Sequence, residues 1–563
     1  MNPNIPVPVE RWPDRFAGWP APVRYGVILA FVVLIHATLL HLPYFWDEGG
    51  YYVPAALDFY RYGTLIPQFT NAHPPLPNVV LASIWHVFGY HIVVTRLTAC
   101  AFAAAGLMVV FDLGRRLLGA GAGLALMLLS ATYPIWFAQS SLAHADIFAA
   151  AFSLGGVAVY LTNSGADPSR STEAAGPGLS PGSSRQYAWA ALLFTLAVLA
   201  KETAVVQPLA LAAYEAFQTF QGDSRHRRTH LRWLVALASP VPILALWFGY
   251  HRLKTGFTFG NPTFLRYNAT ANFTVTHVAT AFGYRFLHLF WQRNIWLPIL
   301  FALACFFLPR RSDRGFRSLP PHILRGIALL VVANWVAFSI LGGALLTRYL
   351  LPVYPLILLV CIWVWQRHTR HWPWLAALTL GAFVSAWWLN PPTYFAPEDN
   401  LTYRDMIVVH QEAITYLAQH DPNATVLTAW PAAGELLRPE LGYADHAFKV
   451  YSIEDFTRGE ISKAAEQPGR YDMALIFATH YVSPSLQSYF LSHPNSRRGL
   501  KFARQRDLSP TEIAVMLGGR VVWEDDRKGE WAAVLHFNRR YDASLRDVPG
   551  DVSSSSPNSP RAD

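Results

Sequence analysis

The sequence predicts a polytopic α-helical membrane protein with about eleven transmembrane helices, followed by a C-terminal extracytoplasmic α/β domain. Three observations carry this. The 563 residues are 53% hydrophobic and only 14% charged, whereas soluble domains carry roughly a quarter charged residues. The apolar residues gather into long runs of the length that crosses about 30 Å of hydrocarbon. From residue 391 onward these runs give way to short, β-rich segments alternating with amphipathic ones.

The apolar runs lie near 25–43, 92–111, 117–137, 143–161, 187–200, 203–220, 232–250, 294–308, 323–346, 349–366 and 373–389. The first is too long for a signal peptide, and "HATLLHLPYFW" offers no small-residue cleavage site. Cys100, Cys305 and Cys361 all fall within apolar segments. They form neither a disulfide framework nor a zinc spacing, so burial is their expected role.

Basic residues set the orientation, because cytoplasmic loops are enriched in Lys and Arg. Arg11, Arg15 and Arg24 precede the first run, and Arg115 and Arg116 follow the second. "SRHRRTHLR" (224–232), "RRSDRGFR" (310–317) and "RHTRH" (367–371) fall on the same side when the runs are counted in order. That side reads as cytoplasmic, with residues 1–24 as its N-terminal segment and 163–186 as a flexible Ser/Gly/Pro-rich loop. The net charge of +9 is largely this bias, so a nucleic-acid partner is not needed to explain it. The loops 44–91 and 251–293, and everything after 390, fall outside; in a bacterium that is the periplasmic side of the inner membrane.

Within the C-terminal part, "YRDMIVVHQEAITYLAQH" (403–420) has helical periodicity. Strands are expected at 424–430, 448–453, 471–479, 520–525 and 531–537, with helices at 433–441, 458–466 and 484–492. The domain is drawn as 391–545, and the Ser-rich tail 546–563 as disordered. Sequons at Asn268, Asn272, Asn400 and Asn423 carry no weight in a bacterium.

Charged groups in or at the mouth of membrane spans are costly, and each is a functional hypothesis. In "YFWDEGGYY" (44–52), Asp47 and Glu48 follow the first run directly, with aromatics including Tyr52 around them. They read either as a solvated loop start or as a carboxylate pair poised for general-base or metal chemistry. In "NAHPPLPNVV" (71–80), three prolines stiffen the chain and oppose helix formation, which fixes His73. His144 and Asp146 stand at the outer start of the fourth run, where Asp146 also suits helix capping. Lys201 and Glu202 separate two apolar runs with no room for a loop. As i,i+1 neighbours they cannot pair on one helix face, and an anionic headgroup would suit Lys201. Arg348 opens the tenth run with a donor fork matched to phosphate oxygens. Together these residues are what chemistry on a phosphate-bearing membrane lipid requires.

The order "WDE", "HPPL", "TRLTACAFAAAGLMVVFDLGRRLLG", "AHAD", "LAKETAVVQP" and "RYLLPVYPLILL" over about residues 25–360 resembles the GT-C superfamily of membrane glycosyltransferases. The nearest likeness is to the dolichyl-phosphate-mannose-protein mannosyltransferase-like group, which includes the aminoarabinose transferases of lipid A. This implies a GT-C membrane domain over 25–390 and inverting transfer of a sugar from a polyprenyl-phosphate donor to a glycan, lipid or protein acceptor at the outer face. It implies Asp47 as general base with Glu48 completing the acidic pair, and Lys201 and Arg348 as holders of the donor phosphate. His73, His144, Asp146 and Tyr52 are then acceptor or reaction-centre residues. No cofactor is required; a divalent metal, if any, would use Asp47, Glu48 and His73. Aminoarabinose transferases tend to carry Glu-Lys-Pro where this chain has His73-Pro74-Pro75, and the loop 251–293 is too short for the β-trefoil of the protein mannosyltransferases. The rival class is a transporter or flippase, which predicts inverted repeats; no such internal similarity is visible.

Overall fold

The computed structural model describes residues 12–66, 73–163, 184–221, 226–260, 262–265, 274–311, 318–341, 345–391, 395–496, 499 and 506–537. Most of the Ser/Gly/Pro-rich segment, the sequons at Asn268 and Asn272, Arg11, parts of the basic loops and the tail 546–563 lie outside the described residues. The chain divides into two compact units, described in turn.

The first unit holds Asp58–Gly89 and Val94–Trp387, together with the N-terminal segment to Thr38. Its helices Ile92–Leu118, Ala145–Asn163, Arg227–Thr255 and Pro321–Leu341 are long and apolar enough to cross a membrane. Shorter apolar helices include Ala21–Ile35, Ala120–Thr132, Trp296–Phe306 and Trp372–Ser385. Small residues allow close crossings: a Cβ on Gly123 would come within 2.7 Å of the Phe111 carbonyl oxygen and the Arg115 amide. Only glycine lets these two backbones approach so closely without hydrophobic driving force between them.

Two segments differ from expectation. Pro74, Pro75 and Pro77 do not block a helix; they start one, Leu76–Phe88, with Pro75 at its N-cap. Proline is tolerated in a first turn, where its missing N–H has no partner to lose. The loop expected over 251–293 contains a helix, Val275–Phe290, capped by the Thr274 hydroxyl, which accepts from the His277 amide.

The second unit holds Leu39–Leu57, Tyr90–Val93 and the chain from Trp388. The start of the first outer loop thus belongs with the C-terminal domain and not with the membrane domain in which the sequence reading counts it. The Tyr44 amide donates to the Leu441 carbonyl at 3.1 Å, and the Tyr443 hydroxyl donates to the Tyr44 carbonyl. The domain is built on five strands: β1 (Thr425–Ala429), β2 (Lys449–Ile453), β3 (Met473–Phe477), β4 (Arg520–Arg527) and β5 (Glu530–His536). Their order is β2-β1-β3-β5-β4, with β2, β1 and β3 parallel and β5 and β4 antiparallel. Each expected strand is present, and the domain is α/β as predicted. Central β3, "MALIF", is wholly buried, the pattern of a strand covered on both faces. Lys528 and Gly529, both at positive φ, form the two-residue turn that joins β4 to β5, the geometry that matches strand twist. A helix not expected from the sequence, Pro510–Leu517, begins with a capping box between Ser509 and Glu512.

Candidate functional site

The chain leaves helical geometry at Lys201, between the helices Ser184–Ala200 and Val206–Gln221. Lys201 is extended, with φ −152° and ψ 124°, and Glu202 opens a short 3₁₀ turn. On either side of this break the two adjacent charges find separate partners. Lys201 Nζ donates to Asp146 Oδ1 at 2.7 Å, and Glu202 accepts from His73 Nδ1 at 2.9 and 3.1 Å through its two oxygens. Asp146 is thus the partner that Lys201 finds within the protein.

Asp146 sits in the first turn of the helix Ala145–Asn163. Its second oxygen lies 3.4 Å from Arg348 Nε. Lys201, Asp146 and Arg348 are 4%, 4% and 3% exposed, so the electrostatic coupling among them is screened far less than at a surface. Next in sequence to Arg348, the Tyr349 ring receives Lys201 Nζ at 4.0 Å from its centroid, with the Arg348 and Arg285 guanidinium carbons at 5.9 and 5.6 Å. Arg285 comes from the helix Val275–Phe290 and donates to the Leu346 carbonyl. Three cations thus gather around one ring with the Asp146 carboxylate shared by two of them. A cavity of about 30 Å³ opens against Asp146, Lys201, Arg348 and Tyr349, and Ser153, Gln207 and Asn334 also line it. A larger cavity of about 750 Å³ is bordered mainly by apolar residues of 118–129 and 372–380 and carries no comparable set of charges.

The other predicted residues are placed as follows. His144 is buried, and its Nδ1 donates to the Gln139 side-chain oxygen at 2.9 Å. His73, buried just before the helix Leu76–Phe88, is oriented by Glu202 in the manner of a His–carboxylate dyad. Asp47, Glu48 and Tyr52 belong to the second unit. Glu48 is fully buried, and its carboxylate accepts from the Phe45 amide at 2.9 Å, closing its own turn. Asp47, 8% exposed, immediately precedes the short π-helical turn Glu48–Tyr52, within which Tyr52 is buried. Trp46 before it has φ 42°, a strained conformation for a bulky residue, of the kind that clusters at functional sites.

Among the described residues no three His, Cys, Asp or Glu side chains group to hold an ion; His73 accepts the orientation set by Glu202, and Glu48 accepts from the Phe45 amide. Sequence reasoning missed Arg285, Tyr349 and the His73–Glu202 pair. The signal for Arg285 was present as one arginine within "VTHVATAFGYRFLHLF", a helical pattern in a segment assigned to a loop.

A helical membrane unit with a buried cation cluster, joined in one chain to a small α/β domain, defines the architecture. The overall fold is similar to crystal structures of ArnT from Cupriavidus metallidurans, one bound to undecaprenyl phosphate and one in the apo state. Identities are 15% and 14%, both with TM-score 0.50, covering 92% of this chain and 98% of that one. A crystal structure of the Archaeoglobus fulgidus oligosaccharyltransferase overlaps at 12% identity and TM-score 0.46, over 84% of this chain and 70% of that one. The likeness to the ArnT structures is one of fold. Residues 72–247 match the family model of dolichyl-phosphate-mannose-protein mannosyltransferase, a stretch that contains His73, Asp146, Lys201 and Glu202. No curated protein sequence matches the chain.

Proposed function

We propose that this protein transfers a sugar from a polyprenyl-phosphate donor to an acceptor at the outer face of a bacterial inner membrane, with inversion at the anomeric carbon. The observation that carries the proposal is the buried grouping of Lys201, Arg348 and Arg285 around Tyr349. Cations are expensive inside a membrane protein unless they serve an anion or a pathway. A lipid-linked phosphate is an anion that arrives from the bilayer itself, and undecaprenyl phosphate is what one of the similar ArnT structures holds.

In the reaction, the acceptor nucleophile bonds to the anomeric carbon as the bond from that carbon to the phosphate oxygen breaks. The leaving polyprenyl phosphate departs as an anion, and Lys201 and Arg348 stabilise the charge that develops on it. A phosphate needs no proton to leave, so no general acid is called for, unlike a glycosidase acting on an alkoxide. The acceptor's proton passes to Asp47, the acidic residue that the family resemblance assigns as base. His73, oriented by Glu202, is placed near the reaction centre by the same resemblance. The excess of Arg and Lys in the loops on one side supports a cytoplasmic assignment for that side and an external one for the C-terminal domain.

The test is release of free polyprenyl phosphate by purified protein given a panel of polyprenyl-phosphate sugars and membrane extract as acceptor. The reading predicts release from one class of donor, lost by roughly 10² to 10⁴-fold in folded Asp47→Asn. No release from any donor by folded wild-type protein would overturn it.

A further inference from the structure

Gln207 is an amide in a place where amides are costly. It sits in the first turn of the helix Val206–Gln221, is 1% exposed, and lines the same small cavity as Lys201 and Arg348. Neither its Nε2 nor its Oε1 has a hydrogen-bond partner among the described residues. An unsatisfied buried polar group is destabilising, so an apolar residue of similar size would be the more stable choice here. Asn334, which also lines the cavity, donates one N–H to the Leu330 carbonyl at 2.8 Å. Ala149, Ala150 and Ala204 add small side chains to the lining, beside Thr203, Phe338 and Pro352.

The chemistry of these amides selects among ligands. A prenyl chain would satisfy neither amide atom. A phosphate offers acceptors only, so it would pair with Nε2 and leave Oε1 unmet. A hydroxyl both donates and accepts, and so meets an amide on both counts. At about 30 Å³ the cavity takes a group of one or two heavy atoms and not a sugar ring.

We infer that Gln207 is a specificity-determining residue that hydrogen-bonds a hydroxyl or hydroxymethyl arm of the donor's sugar, beside the cations that hold its phosphate. This rests on the donor reading of the previous subsection. In it Lys201 and Arg348 anchor every polyprenyl phosphate alike, and Gln207 distinguishes one sugar from another.

The experiment compares full-length wild type, Gln207→Leu and Gln207→Met with three probes: bare undecaprenyl phosphate, the undecaprenyl-phosphate sugar that wild type consumes, and its monodeoxy analogues. Both variants remove an unsatisfied amide, so they should unfold at or above the wild-type temperature. Bare undecaprenyl phosphate should bind them within about twofold of wild type. Their kcat/KM for the natural donor should fall roughly a hundredfold, and the penalty that wild type imposes on one deoxy analogue should vanish. Unchanged kcat/KM in both folded variants would overturn the inference, as would an equal loss of bare undecaprenyl phosphate binding, which would make Gln207 a phosphate ligand. Wild type that neither binds nor consumes any such lipid would overturn the donor reading beneath it.

Discussion

Lys201 and Asp146, 55 residues apart in sequence, meet at 2.7 Å with both side chains almost wholly buried. The amine comes from a break between two helices and the carboxylate from the first turn of a third. The other oxygen of the same carboxylate lies 3.4 Å from Arg348 Nε. Asp146 therefore stands as an internal anion between the two cations proposed to hold the donor phosphate. It keeps Lys201 and Arg348 in place before substrate binds, at the cost of competing with that substrate.

Asp146→Asn should accordingly destabilise the protein and tighten its dependence on lipid phosphate. Removing one partner of a buried pair typically costs 3–5 kcal/mol, because a charge is left uncompensated. Bound polyprenyl phosphate would restore the missing anion. The expected result is a lower unfolding temperature for Asp146→Asn and a larger upward shift with undecaprenyl phosphate than wild type gives. An equal shift in both proteins would show that the lipid phosphate does not sit against this carboxylate's partners.

The His73–Glu202 pair predicts coupling. Glu202 accepts from His73 Nδ1, which fixes the ring's orientation and tautomer. Glu202→Gln and His73→Ala should each lower kcat, and the double variant should be little worse than His73→Ala alone. A double-mutant cycle should return roughly 0.5–3 kcal/mol of interaction. Additive losses would mean that the two act independently.

The C-terminal domain should respond to pH in two opposite ways. Glu530, at the start of β5, is pushed well above the ordinary 4.5 by burial, reinforced by the carboxylates of Asp405, Asp526 and Glu398. Its protonated form is the one the fold favours. Its contribution is complete below 4.5 and is lost as pH rises through the raised value. Glu512 is held down at about 2, first by its hydrogen bonds from Arg506. Its contribution is complete above 4.5 and is lost as pH falls towards 2. Hydrogen exchange of β5 amides in the full chain should therefore slow in Glu530→Gln at alkaline pH, while Glu512→Gln should flatten the acid limb. A Glu530→Gln profile identical to wild type above pH 4.5 would contradict the assignment.

Most of the architecture was legible in the sequence because each element announces itself locally. Long apolar runs cross the membrane, and the five strands from "TVLTA" to "EWAAVLH" are short, apolar and bounded by turn residues. The helix Val275–Phe290 was missed because a short amphipathic helix between charged and polar segments has neither the length nor the uniform apolarity of a span. At the site, the charges themselves were visible, since an isolated Lys, Arg or Asp stands out against an apolar background. Their pairing was not. Which carboxylate faces Lys201 depends on the extended backbone at that one residue, and tertiary contact alone brings Arg285 to Tyr349. The prolines after His73 misled for a related reason: the same residue that ends a helix in its middle begins one at its N-terminus.

Binding of undecaprenyl phosphate to purified wild type, Lys201→Ala, Arg348→Ala and the double variant tests Lys201 and Arg348 as the lipid-phosphate site most directly. Truncating one partner of a buried charge pair costs about 2–5 kcal/mol, so each single variant should bind at least some 30-fold more weakly, with the double variant below detection while still folded. Undiminished binding by the folded double variant would contradict the account.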